Sequence, residues 1–92
     1  MPAWFYVLRL QSGGLYVGST TDLEKRFQDH YSGRACRTTK FDSPVTIVFS
    51  EQFDSFSEAS CREAQVKRWS RAKKEALISG EMAKLKEVSK SR

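Results

Sequence analysis

The sequence is poor in residues that cross-link or interrupt a small chain. It has two cysteines, two prolines and a single histidine among 92 residues. Three Cys and His side chains are too few for a four-ligand zinc site within one chain. Cys36 and Cys61 lie in a chain that shows no export signal. We therefore expect reduced, buried or half-buried thiols and not a disulfide.

Long apolar runs and targeting segments are also missing. No apolar run approaches the ~20 residues that a membrane-spanning helix needs. Residues 1–6 lack the basic region, apolar core and cleavage site of a signal peptide. No repeat, low-complexity block or Gly-rich nucleotide-binding loop occurs. We expect a single domain of an intracellular protein that is cytoplasmic, or nuclear in a eukaryote, with no membrane contact.

Positive charge is present in excess and is unevenly distributed. The chain carries 16 Lys and Arg against 11 Asp and Glu, a formal charge of +5. Residues 1–61 contain six basic and seven acidic residues, whereas residues 62–92 contain ten basic and four acidic ones. An excess concentrated in one third of the chain indicates an acidic partner, most commonly nucleic acid. A solvated lysine-rich helix face is the alternative.

The first half of the chain has the pattern of a hairpin followed by a helix. Residues 4–11 and 15–19 are rich in aromatic and β-branched residues, which favours strands, and Ser12, Gly13 and Gly14 between them favour a tight turn. Thr21 and Glu24 match a capping box at a helix start. Gly33 is a typical helix stop.

The second half predicts a strand and two helices. Residues 34–40 are expected to form an irregular basic loop, and residues 45–53 a third strand with Ile47, Phe49 and Phe53 on one side. Ser55 with Glu58 starts a helix that reaches about Trp69, and Ser70 starts another over residues 71–78, which Gly80 ends. The predicted class is α+β, with a three-stranded antiparallel sheet and the order β-β-α-β-α-α. Residues 1–80 form the domain, and residues 81–92 a basic tail that is a frayed helix or disordered.

Five side chains are of the types that phosphodiester hydrolysis uses. Tyr6 and Tyr16 fall at corresponding points of the hairpin, Arg26 and His30 share one helical face, and Glu63 is an acid within a basic helix. Each also has a purely structural interpretation: packing tyrosines, a structural histidine, and ion pairs of Arg26 with Asp22 or Asp29 and of Glu63 with Lys67.

The order of these residues resembles the GIY-YIG nuclease superfamily, in particular its short stand-alone members. The two signature tripeptides correspond to Phe5-Tyr6-Val7 and Tyr16-Val17-Gly18. The family's helical arginine and the histidine four residues on match Arg26 and His30, and its metal-binding glutamate matches Glu63. The resemblance extends over residues 4–78 and includes the basic segment 66–74. It departs from the family pattern in two ways: the first tripeptide lacks Gly-Ile, and the chain contains no asparagine, whereas many members have one after the glutamate.

The resemblance implies a divalent-metal-dependent DNA endonuclease or structure-selective nuclease, with a role in repair or recombination. Glu63 would hold one Mg²⁺ or Mn²⁺, which suits an ion that keeps its waters and uses few carboxylates. Arg26 would bind phosphate through its planar fork. The general base would be one of Tyr6, Tyr16 and His30.

Binding of DNA is predicted to rely on phosphate contacts that carry little sequence information. The predicted contact residues are Arg34, Arg37, Lys40, Lys67, Arg71, Lys73 and Lys74. RNA remains an alternative substrate, and a protein partner could supply targeting. The second functional hypothesis is a catalytically weak nucleic-acid-binding accessory module on the same fold, and a third is a basic interaction domain unrelated to nucleic acid.

Overall fold

The order of strands and helices follows the sequence pattern closely. The structure, a computed structural model, describes residues 1–35 and 37–80. The elements are β1 Ala3–Leu10, β2 Leu15–Thr20, α1 Leu23–Tyr31, α2 Arg37–Phe41, β3 Pro44–Phe53, α3 Phe56–Lys67 and α4 Arg71–Ser79. The predicted α+β class and three-stranded antiparallel sheet are confirmed. The predicted tail, residues 81–92, and Cys36 lie outside the described residues.

The sheet has the order β2-β1-β3, and both neighbours of β1 run antiparallel to it. The predicted turn joins β1 to β2: the N–H of Gly13 donates to the carbonyl of Leu10, and Gly13 has a φ of +91°. β1 is the central strand, and helices cover both of its faces. This explains why its apolar residues alternate only partly, with Phe5 and Val7 buried on one face and Tyr6 and Leu8 on the other.

Two layers of helices enclose the sheet. On one face, Val66 of α3 and Leu77 of α4 pack with Phe5, Val7 and Val17. On the other face, residues Leu23 and Phe27 of α1 pack against Tyr6, Leu8 and Leu10. Within the described residues no helix is long and apolar enough to cross a membrane.

In the edge strand β3, the prediction that Ile47, Phe49 and Phe53 lie on one side is wrong. Val7 is opposite Phe49, but the next residue of β1, Leu8, is opposite Ile47, so the register shifts by a residue at Val48. Such a bulge reverses the alternation of side chains along the strand. As a result Ile47 packs with the α1 layer, whereas Phe49 packs on the opposite face, and the two do not share a side as predicted.

The helix starts confirm two predicted caps and correct a third. The side chains of Ser55 and Ser70 accept hydrogen bonds from the backbone N–H of Glu58 and Lys73, as predicted. The N-cap of α1 is Asp22 and not Thr21, with the Asp22 carboxylate accepting from the N–H of Lys25. The negative charge of a carboxylate also interacts favourably with the positive end of the helix dipole, and an uncharged threonine hydroxyl lacks this interaction.

Two smaller predictions also change. The segment expected to be an irregular loop contains the short helix α2, at Arg37–Phe41. Cys61, expected to be at least partly buried, is exposed and free. It lies on the outer side of α3, whose inward face carries the buried residues Ala59 and Val66.

Candidate active site

Two tyrosines project from the hairpin onto the face that α1 covers. Tyr6 is opposite Gly18 in the register, and Tyr16 is opposite Leu8, so the two phenols are diagonal neighbours. A Cβ on Gly18 would lie 2.5 Å from Cζ of Tyr6. The glycine of the second tripeptide therefore leaves the space that the phenol of the first tripeptide occupies.

Helix α1 places a histidine between these tyrosines. His30 is completely buried, and its Nε2 lies 2.8 Å from the Tyr6 hydroxyl. The rings of Tyr16 and His30 are in edge contact, with centroids 4.7 Å apart. The four-residue spacing from Arg26 to His30 puts the guanidinium on the same side of the helix.

Thr39 completes the environment of the imidazole. Its Oγ1 lies 2.9 Å from Nδ1 of His30, so both ring nitrogens are in hydrogen bonds. Thr39 is fully buried and belongs to α2. No sequence signal indicates Thr39, because a five-residue helix has too few positions to show periodicity and no motif includes this threonine.

The imidazole is held in its neutral form. Burial, reinforced by the positive charge of Arg26, lowers the pKa of His30 from 6.5 to about 4. A neutral imidazole has one N–H and one acceptor nitrogen. Either Tyr6 donates to Nε2 while Nδ1–H donates to Thr39, or Thr39 donates to Nδ1 while Nε2–H donates to the Tyr6 oxygen.

Arg26 connects this buried cluster to solvent. A hydrogen bond to Tyr6 is the main cause that raises the pKa of Arg26, with smaller contributions from Tyr16 and Asp29. Its Nε is buried and has no hydrogen-bond partner among the described residues. A cavity of about 210 Å³ lies beside it, lined by Thr20, Thr21, Asp22, Lys25, Arg26 and Asp29. A planar guanidinium at the edge of such a cavity is suited to an oxyanion such as phosphate.

Glu63 lies in the other helical layer, against the same end of β2. Its Oε1 accepts from the Ser19 hydroxyl at 2.6 Å, and its Oε2 pairs with Nζ of Lys67 at 2.8 Å. Ser19 directly follows Gly18, the residue that Tyr6 covers. The structure therefore brings Tyr6, Tyr16, Arg26 and His30 into direct contact and places Glu63 across β2 from them. Ser19 was also missed, because nothing in the sequence indicates which strand residue would face α3.

The carboxylate of Glu63 suits a single hard cation. The described residues contain no cluster of three or more His, Cys, Asp or Glu that could hold a metal alone. Mg²⁺ is commonly held by one or two carboxylates, with waters and substrate phosphate completing its shell. The ammonium of Lys67 now neutralises Oε2, but the Lys67 side chain is 56% exposed and can turn away. One carboxylate oxygen, with waters completing the shell, therefore suits a hard divalent cation such as Mg²⁺ or Mn²⁺.

The predicted DNA-binding residues lie in two groups. Arg34, Arg37 and Lys40 are exposed at and before α2, in the layer of α1. Lys67, Arg71, Lys73 and Lys74 belong to α3 and α4, on the opposite side of the sheet. Arg71 donates to the carbonyl of Gly13 and pairs with Glu75, and Lys73 lies over the ring of Trp69.

Comparisons with known proteins show the family to which the chain belongs. The model of the GIY-YIG catalytic domain matches residues 2–76. A UPF0213 protein of Staphylococcus saprophyticus is 42% identical over 83% of this chain and 93% of its own length. A UPF0213 protein of Halobacterium salinarum is 44% identical over 79% and 95%, respectively.

A solved structure shows the same fold. The solution NMR structure of a UPF0213 protein from Bacillus halodurans is 38% identical and covers 86% of this chain and 84% of that one, with a TM-score of 0.56. The likeness thus extends over both helical layers. The chain belongs to the GIY-YIG domain family, a nuclease superfamily, and within it to the stand-alone UPF0213 group.

Proposed function

We propose that this protein is a divalent-metal-dependent nuclease that hydrolyses phosphodiester bonds of structured DNA in repair or recombination. The observation that carries the proposal is the buried Tyr6–His30 hydrogen bond, which has Arg26 on one side and Thr39 on the other. A packing tyrosine does not need a neutral histidine and an arginine on its hydroxyl. A phenol that exchanges a proton with water does.

The proton step is assigned to Tyr6. The guanidinium of Arg26 stabilises negative charge on the Tyr6 oxygen. Since His30 stays neutral, it can donate Nε2–H to that oxygen while Thr39 donates to Nδ1. Once the phenol has lost its own proton to solvent, the phenolate takes a proton from the attacking water, and the resulting hydroxide forms the new bond to phosphorus. The bond to the leaving oxygen breaks, and that oxygen takes a proton from solvent.

Two further residues act on the phosphate. Arg26 binds its non-bridging oxygens from the cavity beside α1. Glu63 would hold the divalent ion, which supplies charge neutralisation for the phosphate and the leaving oxygen. The hydrogen bond from Ser19 holds Oε1 of the carboxylate in place. At Oε2 the Lys67 ammonium would then be replaced by the divalent ion.

The test is cleavage of labelled duplex, branched, flap and single-stranded DNA with Mg²⁺, Mn²⁺ or EDTA. Wild-type protein should cleave at least one structure only when the ion is present. Tyr6→Phe, Arg26→Gln and Glu63→Gln should each lower the rate about 100-fold or more, since each removes a group that acts in the transition state. Glu58→Gln, on the exposed start of the same helix, is the matched control and should cleave normally. Wild-type rates from Glu63→Gln protein that binds DNA normally would contradict the assignment.

A second function is supported by the Lys67–Glu63 ion pair. If that pair persists in the presence of Mg²⁺, both carboxylate oxygens stay engaged and the protein is a nucleic-acid-binding accessory module. Replacing Lys67 with methionine separates the two. A nuclease should cleave with or without Lys67 and need less of the ion once the ammonium is gone, whereas an accessory module whose carboxylate is occupied by the ammonium should be inactive at every ion concentration while Lys67 is present.

A further inference from the structure

The junction of α3 and α4 contains a cavity that the proposed chemistry does not use. It has a volume of about 470 Å³ and is lined by Ala64, Gln65, Arg68 and Trp69, which we call the Trp69 pocket. Its volume falls within the range of small-molecule sites. It lies on the α3–α4 side of the sheet, away from the cavity beside Arg26.

Cations surround the indole of Trp69. The Nζ of Lys73 lies 4.4 Å from the ring centroid, and the guanidinium carbon of Arg62 lies 5.2 Å from it. Residues 62–74 contain six basic residues and one acid, Glu63. An aromatic ring within a basic surface is the combination that single-strand-binding proteins use, since bases stack on the ring and phosphates pair with the cations.

The polar groups of the pocket also suit a base. Arg62 is anchored by an ion pair with Glu51, and its NH1 donates to Oε1 of Gln65 at 2.8 Å. That bond turns the amide NH₂ of Gln65 away from Arg62. Gln65 and Arg68 are both exposed and present donors beside the ring, which match the carbonyl and ring-nitrogen acceptors of nucleobases.

The pocket is adjacent to Glu63 on the same helix. Ala64 directly follows Glu63, and Arg68 directly follows Lys67. Ala64 and Arg68 therefore lie on the helix surface next to the Glu63–Lys67 ion pair. A helix is only about 10–12 Å across with its side chains. One or two nucleotides of a strand could therefore extend from the pocket to Glu63.

We propose that the Trp69 pocket binds an unpaired nucleobase of the DNA substrate, stacked on Trp69 and held by Gln65 and Arg68. The proposal rests on the proposed nuclease function and specifies its substrate class: DNA with an unpaired nucleotide close to the cleaved bond. On binding, Lys73 would exchange its contact with the ring for a phosphate.

Binding measured in EDTA tests the pocket without requiring cleavage. In a Trp4→Phe background, Trp69 is the remaining tryptophan. Short oligothymidylate should quench its fluorescence, whereas a blunt duplex should bind without comparable quenching. Trp69→Leu should weaken single-strand binding about tenfold or more, the effect of losing one stacked base, and change duplex binding less than about twofold. Phe56→Leu, at an exposed aromatic residue of the same helix, is the matched control and should change neither.

Three results would contradict the proposal that the Trp69 pocket binds an unpaired nucleobase. They are oligothymidylate binding without quenching, equal losses for single strand and duplex in the Trp69→Leu variant, and equal quenching by an acidic peptide such as polyglutamate. Because Trp69 packs partly on the core, Trp69→Phe and Gln65→Ala serve if the leucine variant does not fold, and both should weaken single-strand binding selectively. Failure of both DNA forms to bind would contradict the proposed function as well, whereas normal duplex binding without single-strand binding would contradict the pocket proposal alone.

Discussion

Gly18 shows how much of the site depends on a single missing side chain. The phenol of Tyr6 lies over its Cα, where a Cβ would come within 2.5 Å of Cζ. Tyr6 is only 2% exposed and its hydroxyl is bonded to His30, so the ring has little room to move. The glycine of the signature tripeptide therefore acts on the chemistry through the tyrosine that it admits.

We expect Gly18→Ala to displace Tyr6 and to weaken both stability and cleavage. Overpacking of this kind typically costs about 1–3 kcal/mol of unfolding free energy. Urea denaturation should show that loss, together with a fall in nuclease rate of at least about tenfold. Gly14→Ala is the control, because its Cβ would meet the exposed Ser12 hydroxyl at 3.3 Å, a contact that a shift of a few tenths of an ångström relieves. Equal effects of the two substitutions would show that the Tyr6 contact is unimportant.

His30 predicts a pH dependence of stability. The pKa of His30 is about 4 in the folded protein and 6.5 ordinarily. Below pH 6.5 the imidazole is therefore protonated in the unfolded chain but stays neutral in the folded protein until the pH approaches 4. With respect to His30, the free energy of unfolding is therefore highest above pH 6.5 and falls as the pH decreases toward 4. Between pH 7.5 and 5 the loss should be about 2 kcal/mol.

Urea denaturation at several pH values measures this loss. The His30→Gln variant should show a much smaller change over the same range. The Arg9–Glu75 ion pair does not interfere, since Arg9 lowers the pKa of Glu75 to about 2 and its contribution is lost only below the ordinary value of 4.5. A wild-type stability that stays constant from pH 7.5 to 5 would mean that His30 is not held neutral by burial.

Helix α1 contributes Arg26 and His30 to the candidate site, and the N-cap residue Asp22 stabilises its start. Thr21 matches the capping-box spacing with Glu24, whereas Asp22 is followed three residues later by Lys25, so the spacing favours the residue that is not the cap. In the structure Thr20 donates to the carbonyl of Asp22 and accepts from its N–H, which orients Asp22 as the cap. The choice is decided by the end of β2 rather than by the helix.

Replacing the two candidate caps distinguishes them. Asp22→Ala should destabilise the protein by about 1 kcal/mol, because it removes the acceptor for the Lys25 N–H. Thr21→Ala should change the unfolding free energy by less than about 0.5 kcal/mol, as expected for an exposed position without such a role. Thermal or urea unfolding measures both, and the reverse order would restore Thr21 as the cap.

Short and bulged elements are the parts that sequence patterns did not reveal. The helix α2 has five residues, and the bulge at Val48 interrupts the alternation of β3. Both depend on packing against the rest of the chain. Yet α2 supplies Thr39 to His30, so an element without a sequence signature completes the candidate site.

At the scale of the whole molecule, charge determines how DNA should bind. The net charge is +5, and the two predicted groups of basic residues lie on opposite sides of the sheet. Affinity for DNA should fall steeply with salt, with a log–log slope of about −0.9 for each phosphate neutralised.

Paired substitutions identify which side binds. The Lys73→Gln, Lys74→Gln pair and the Arg34→Gln, Arg37→Gln pair should each reduce the slope by up to about two units if both sides contact DNA. Binding measured in EDTA over a range of salt concentrations gives the slopes. A slope near zero for the wild type would contradict the electrostatic argument altogether.

Residue order by itself determined the α+β class, the hairpin turn, the caps at Ser55 and Ser70, and which side chains are candidates for chemistry. These features depend on neighbours within a few positions or on the succession of motifs along the chain. Three contacts became visible only once the chain was folded: Tyr6 lies over Gly18, Thr39 reaches His30, and Glu63 approaches from the far side of β2. Those contacts depend on strand register and on which helix covers which face, because they join residues that are distant in the chain.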